Sequence, residues 1–122
     1  MSRWLGAHVS VAGGLERAFP RAEEVGCRTL QVFTKNANRW KAPPISEETA
    51  TAFRAAWDQS PIGPVLAHDA YLINLASPKQ GVWEKSKAAL IEELQRCAQL
   101  GITMLVMHPG AHLGEGEPAG IE

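Results

Sequence analysis

No stretch of this 122-residue sequence approaches the roughly 18 consecutive apolar residues of a membrane-spanning helix, and Met1–Gly6 lacks the apolar core of a secretory signal. The expectation is a cytoplasmic protein with no membrane partner. Excess charge of either sign is also missing. Twelve Lys and Arg against 13 Asp and Glu leave a net charge of −1, so bulk attraction to nucleic acid is excluded and any polyanion must be held by a local patch. Cysteine is scarce: Cys27 and Cys97 stand alone without Cys-x-x-Cys spacing, which points to free buried thiols rather than a disulfide. Internal repeats and low-complexity tracts are absent, and only the tail Gly114–Gly120 has loop composition. What remains, 45% hydrophobic and 20% charged residues, is ordinary globular material with a prior of one domain.

Four short apolar runs stand out: Trp4–Val9, Thr29–Phe33, Pro64–His68 and Ile102–His108. They mostly lack polar alternation, which suits strands buried on both faces. Between them the period becomes helical. Leu15, Ala18, Phe19, Ala22 and Val25 share one face and Gly26 supplies a stop, while Pro20 demands a late start or a kink. Ser46 caps a second helix through Ala50, Phe53 and Trp57, with Glu47 and Glu48 favourably placed in its first turn and Pro61 beyond its end. Ser77-Pro78 reads as the start of a third, which Gly81 would delay; its stripe is Trp83, Leu90, Leu94 and Cys97, and Gly101 closes it. This β-α-β-α-β-α-β order implies right-handed βαβ units on a parallel sheet. A complete (β/α)8 barrel takes about 250 residues, so the fold class expected is α/β, with residues 1–122 as the N-terminal half, about four βα units, of a single truncated TIM-barrel domain. An open doubly wound sheet reads much the same to this point.

Three of the four histidines, His8, His68 and His108, fall at or near the ends of three strands. In parallel α/β folds those C-terminal ends form the functional face. Imidazoles gathered there are suitable ligands for Zn²⁺ or, less selectively, Mn, Fe or Co ions. Any one of them read alone is equally a buried histidine satisfied by a carbonyl; their common placement favours a site. His108-Pro109-Gly110-Ala111-His112 is no helical metal motif, because Pro-Gly forbids the helix. Asp69 is a candidate orienting partner for His68, although alternation along a strand turns it toward the loop instead. Ser10–Gly14 is a small-residue loop before a helix, a weak phosphate-binding signal beside the reading of a plain turn. The loop Thr34–Lys41 mixes three cations, two amides and an indole, which suits phosphate contact and base stacking, and Tyr71 and Leu72 follow His68 where a wedge entering a base stack would sit. Solvated charge and a covered barrel mouth are the competing readings of those loops.

Four blocks, Gly6-Ala7-His8-Val9-Ser10 with Gly13-Gly14, Phe33-Thr34-Lys35-Asn36, His68 through Leu75, and His108 through His112, together resemble endonuclease IV, a zinc-dependent apurinic/apyrimidinic endonuclease family. The resemblance implies a β/α-barrel enzyme with a trinuclear zinc cluster that uses a zinc-activated hydroxide to cut the phosphodiester 5′ to an abasic site in double-stranded DNA during base-excision repair, acting as a monomer when full length. By position it implies that His68 and His108 hold one zinc, that His8 lines the same pocket behind the ligands, and that Lys35, Asn36, Asn38, Arg39, Trp40, Tyr71 and Leu72 contact DNA. Many members carry an Arg two residues after the Asn matched by Asn36; here that place is Asn38, and Arg39 comes one later. The resemblance also implies that the remaining ligands, a bridging glutamate and an Asp-x-x-His segment, lie beyond residue 122. No catalytic side chain besides the metal ligands is expected within residues 1–122, and the isolated chain is expected to be inactive.

Two alternatives stand beside this reading. A metal-dependent sugar isomerase or epimerase barrel accounts for the histidines but gives no role to Tyr71 or the 35–41 loop. A non-catalytic DNA-binding fragment has the net charge of −1 against it.

Overall fold

The structure, a computed structural model, describes residues 3–122, so Met1 and Ser2 lie outside it. Four strands, β1 (Gly6–His8), β2 (Thr29–Phe33), β3 (Val65–His68) and β4 (Met104–Val106), form one parallel sheet in the order β1-β2-β3-β4. Each new strand joins the same edge of the sheet. A doubly wound sheet reverses that direction to create its crevice, whereas a barrel never does, so the topology decides between the two readings the sequence left open. No helix among the described residues is long and apolar enough to cross a membrane.

The helices follow their local chemistry. One turn of 3₁₀ helix, Leu15–Arg17, precedes α1 (Ala18–Glu24). The late start resolves the difficulty of Pro20: it occupies the third position of α1, where the N–H has no intrahelical acceptor to lose. Helix α2 (Glu47–Asp58) is capped as expected, with Ser46 Oγ accepting from the Thr49 amide at 3.0 Å. Helix α3 (Gln80–Leu100) ends at Gly101, whose φ of 79° is the left-handed conformation that closes helices.

Several expectations are corrected. The cap of α3 is Lys79, not Ser77, whose hydroxyl instead accepts from the Lys79 amide. The α3 stripe is wrong in its middle: Leu94 is 51% exposed, while Ser86, Ala89, Glu93, Arg96, Cys97 and Leu100 are buried. Two charges turn inward because an adjoining loop supplies their partners, so the polar face of α3 is not its solvent face. Val25 is likewise exposed. The tail read as loop contains a short helix, α4 (Glu117–Ile121), opened by Pro118 near its start.

The sheet is not buried on both faces among the described residues. Leu30, Val32, Val65 and Ala67 point toward the helices and join Phe19, Ala22, Ala50, Phe53, Cys97 and Leu100 in one core. Burial of that apolar surface dominates stability. The alternate residues Gly6, His8, Gln31, Phe33, Leu66, His68, Met104 and Val106 are exposed or half-buried, because no described element packs on that side. In a closed barrel that side is the interior. Cys27 and Cys97 are both free thiols, as expected, but only Cys97 is buried, Cys27 being half-buried.

Candidate metal centre and nucleic-acid face

The open face carries a row of rings at its C-terminal end. Phe33, last in β2, lies between His8 and His68, with ring centroids 4.4 and 5.5 Å away. His108, two residues past β4, stands 5.2 Å from His68. Parallel register produces the row, since Phe33 pairs with His68 and His68 with Val106, putting successive strand ends at one height.

Hydrogen bonding sorts the four imidazoles. His68 Nδ1 lies 2.8 Å from the carbonyl of Asp69; a carbonyl only accepts, so Nδ1 carries the proton and Nε2 keeps its lone pair. This is the tautomer that a metal-ligating histidine adopts, its second nitrogen fixed by an acceptor. His108 makes no side-chain hydrogen bond that would occupy its ring nitrogens among the described residues. His8 is the opposite case: Gln31 Nε2 donates to its Nδ1 at 2.9 Å, which leaves the proton on Nε2. Partial desolvation, then the neighbouring His68, pushes the His8 imidazole below its ordinary value. His112 Nδ1 accepts from the amides of Gly114 and Gly116 at 3.1 and 3.2 Å and so organises a turn. His68 and His108 are therefore the two imidazoles with a free donor atom on this face. Among the described residues no group of three or more His, Cys, Asp or Glu side chains gathers to hold a metal ion.

Asp69 departs from expectation. It does not turn into the loop: it is 2% exposed and its Oδ1 lies 3.6 Å from His68 Nδ1. The alternation of β3, buried at Val65 and Ala67 and half-buried at Leu66 and His68, carries on through residue 69, whose amide donates to the Val106 carbonyl at 3.0 Å, and the side it reaches is the helix-covered core beside Glu93, not a loop. Burial pushes its carboxyl up, against the pull of His68 and His108, and among the described residues Oδ2 has no hydrogen-bond partner. A buried, underused carboxylate behind the imidazole pair makes the surroundings favourable to a cation.

The two candidate DNA loops meet beside these rings. Tyr71 is 62% exposed, with its ring 5.2 Å from Phe33 and 6.2 Å from His68. Its amide donates to the carbonyl of Ala37 at 2.8 Å, joining the loop after β3 to the loop after β2. Asn36, Asn38 and Arg39 are exposed, Trp40 and Leu72 half-buried. Lys35 is corrected: it is 8% exposed and its ammonium donates to the Trp40 carbonyl at 2.8 Å, so it braces its own loop instead of presenting charge. The Ser10–Gly14 loop spends two of its amides internally, Ala12 donating to Ser10 Oγ at 3.1 Å and Gly14 to the Val11 carbonyl at 2.9 Å, and Arg21 braces it through the carbonyls of Ser10 and Ala12 at 2.9 and 2.7 Å.

Sequence reasoning missed Asn74. Its Oδ1 accepts from the Ala111 amide at 2.9 Å and its Nδ2 donates to the Ala111 carbonyl at 2.9 Å, tying the loop after β3 to the one that carries His108. Gly110 lets the two loops of this tie approach. Its φ is 120°, and a Cβ there would lie 2.3 Å from Asn74 Oδ1. The pairing of an Asn at the end of one strand-end block with a Pro-Gly in the next was the available signal.

The sequence profile of the xylose isomerase-like TIM barrel family matches residues 19–122. Curated relatives named "Probable endonuclease 4" include one from Chloroflexus aurantiacus, 54% identical over 95% of this chain and 41% of its own length, and one from Geobacter sulfurreducens, 50% identical over 99% and 41%. The chain thus spans about two-fifths of the length of the curated relatives it matches. Among solved structures, endonuclease IV from Thermus thermophilus superposes with a TM-score of 0.82 at 32% identity, covering 96% of this chain and 43% of that one. A D-psicose 3-epimerase superposes with a TM-score of 0.62 at 18% identity over 95% and 43%, a likeness of fold alone. With its β1-β2-β3-β4 parallel order and the profile match over residues 19–122, the chain belongs to the xylose isomerase-like TIM barrel family and, within it, is similar to the N-terminal part of endonuclease IV.

Proposed function

We propose that this sequence is the N-terminal, recognition-bearing portion of a DNA-repair endonuclease that cleaves the phosphodiester 5′ to abasic sites with zinc. The observation that carries the reading is a juxtaposition: the two imidazoles with free donor atoms, His68 and His108, lie 5.2 Å apart between ring centroids, directly beside the joined loops of Ala37 and Tyr71. A sugar-binding barrel explains the first half of that arrangement and not the second.

The residues present fit a zinc ion as part of a donor set. His68 Nε2 and a His108 ring nitrogen are neutral nitrogen donors of the preferred kind, and the Asp69 carboxylate adds negative charge behind them. Bound zinc would supply Lewis-acid stabilisation to the phosphodiester and lower the pKa of water. The Asp69 carbonyl holds His68 in the ligating tautomer. His8, held by Gln31 with its proton on Nε2, serves as a hydrogen-bond donor lining the pocket rather than as a ligand. Exposed Tyr71 fills the space of a missing base, and Asn36, Asn38 and Arg39 contact the backbone. An abasic nucleotide has already lost pairing and stacking, so extruding it costs less than flipping an intact one, and loops inserted at that point discriminate by the difference. Two imidazoles are too few for the cluster the reading requires, so the 122 residues by themselves bind without cutting.

The test is a duplex carrying one abasic site, incubated with zinc-loaded protein. Residues 1–122 alone should leave it intact, whereas fusing them to the complementary part of an endonuclease 4 relative should restore a nick on the 5′ side that is lost in His68→Ala and His108→Ala. Nicking unaffected by either substitution would overturn the assignment.

A further inference from the structure

The face of α3 toward the 34–43 loop holds two buried charges that the reading above does not use. Glu93 is 0% exposed and Arg96 8% exposed, in a helix whose other buried residues are mostly small or apolar. A buried carboxylate and guanidinium are costly to desolvate, and apolar residues of similar volume often fill such space at no loss of stability. What these two do is grip one loop. Buried Thr34 sits between them, its hydroxyl donating to Glu93 Oε1 at 2.5 Å and accepting from Arg96 Nε at 3.2 Å. The Arg96 fork continues with Nη2 to the Thr34 carbonyl and Nη1 to the Pro43 carbonyl at 2.9 Å. Both ends of the loop are therefore held by one side chain. Within it Lys35 donates to the Trp40 carbonyl, and Ala37 accepts from the Tyr71 amide.

We propose that Glu93 and Arg96 act as positioning residues: a buried clamp that fixes the 34–43 loop through Thr34, so that Asn36, Asn38 and Arg39 are held ready for DNA before it binds. The presentation to DNA rests on the abasic-site reading; the clamp itself does not. Preorganisation of this kind raises affinity by removing the ordering cost from the binding step. The side-chain requirement is specific. Serine at position 34 keeps the bridging hydroxyl, valine keeps the volume and loses it, and lysine at 96 keeps a charge but has no fork to reach two carbonyls.

Two measurements on the full chain test it: amide hydrogen exchange, and affinity for an abasic against an intact duplex by fluorescence anisotropy. Thr34→Val should raise exchange of residues 35–41 by about tenfold, as for loss of one to two hydrogen bonds, with β2 and β3 amides unchanged, and should weaken abasic-duplex binding; Thr34→Ser should restore both. Arg96→Lys provides the same readout if Thr34→Val does not fold. Loop exchange at the parent level, or exchange raised uniformly over the whole chain, would overturn the clamp. Raised loop exchange in a protein that shows no preference for the abasic duplex would uphold the clamp and remove the DNA reading.

Discussion

The amide of Tyr71 donates to the carbonyl of Ala37 across 2.8 Å, so the loops after β2 and β3 are one hydrogen-bonded unit rather than two independent arms. The unit stands beside His68, whose ring is 6.2 Å from that of Tyr71.

Tyr71→Ala should separate DNA recognition from folding. The ring is 62% exposed, so its loss costs little stability, whereas stacking against nucleic acid is worth about 1–3 kcal/mol per aromatic contact. Abasic-duplex affinity should fall about tenfold with the melting temperature unchanged. Equal affinity in parent and variant would exclude a stacking role.

Asn74→Ala should disturb the histidine site from a distance. It removes both bonds to Ala111 and leaves that backbone without its partner, at a cost of about 1–3 kcal/mol. Zinc affinity, measured by competition with a chromophoric chelator, should fall even though Asn74 is no ligand. Gly110→Ala should do the same through the 2.3 Å clash with Asn74 Oδ1. Unchanged zinc affinity in both variants would mean that the tie does not position His108.

Glu93 gives the stability a pH dependence of defined sign. Burial, above all, holds its carboxyl above the ordinary value of 4.5, against the Thr34 hydrogen bond and the charges of Arg96 and Lys35, while Asp69 adds to the rise. The folded protein thus keeps this proton at pH values where the unfolded chain has released it. That contribution is fully present below the unfolded value and is lost as pH rises through the folded one. Glu93→Gln removes it, and Asp69, Lys35, Arg96 and Cys97 face position 93 in both proteins. The difference in melting temperature should therefore shift in the variant's favour from about pH 4.5 upward. A difference constant with pH would show that Glu93 does not change protonation on folding.

The two thiols should differ sharply toward alkylation. Burial, and then the Glu93 charge, pushes the Cys97 thiol up to about 11, and it is 4% exposed; Cys27 is half-buried. Iodoacetamide at neutral pH should modify Cys27 first and Cys97 only on unfolding, because the thiolate is the nucleophile. Mass spectrometry showing comparable rates would contradict the packing of α3.

The parts of this molecule that follow local rules were legible in the sequence. Ser46, Gly101 and the apolar runs carried the helix end signals and the strand order, and His8, His68 and His108 lie at or just past strand ends as their spacing implied. Residues whose environment comes from distant segments were not. Glu93 and Arg96 lie on a helix face that charge alone assigns to solvent, and only the Thr34 loop, some 60 positions earlier, makes their burial tolerable. Lys35 reads as a free cation until Trp40 folds back over it. Asp69 reads as turned into a loop because the sequence does not show that the side opposite His68, shared with Val65 and Ala67, is covered by helices.

The central claim is that His68 and His108, and not His8 or His112, are the metal-binding imidazoles. It is tested most directly by titrating zinc into the chain while following the ring nitrogens of all four histidines by ¹⁵N NMR, with chelator added at the end. The account predicts that His68 Nε2 and one nitrogen of His108 shift together, that His8 and His112 keep their hydrogen-bonded tautomers, and that the chelator reverses the change. Shifts at His8 and His112 equal to those at His68 and His108, or none at the pair, would contradict it.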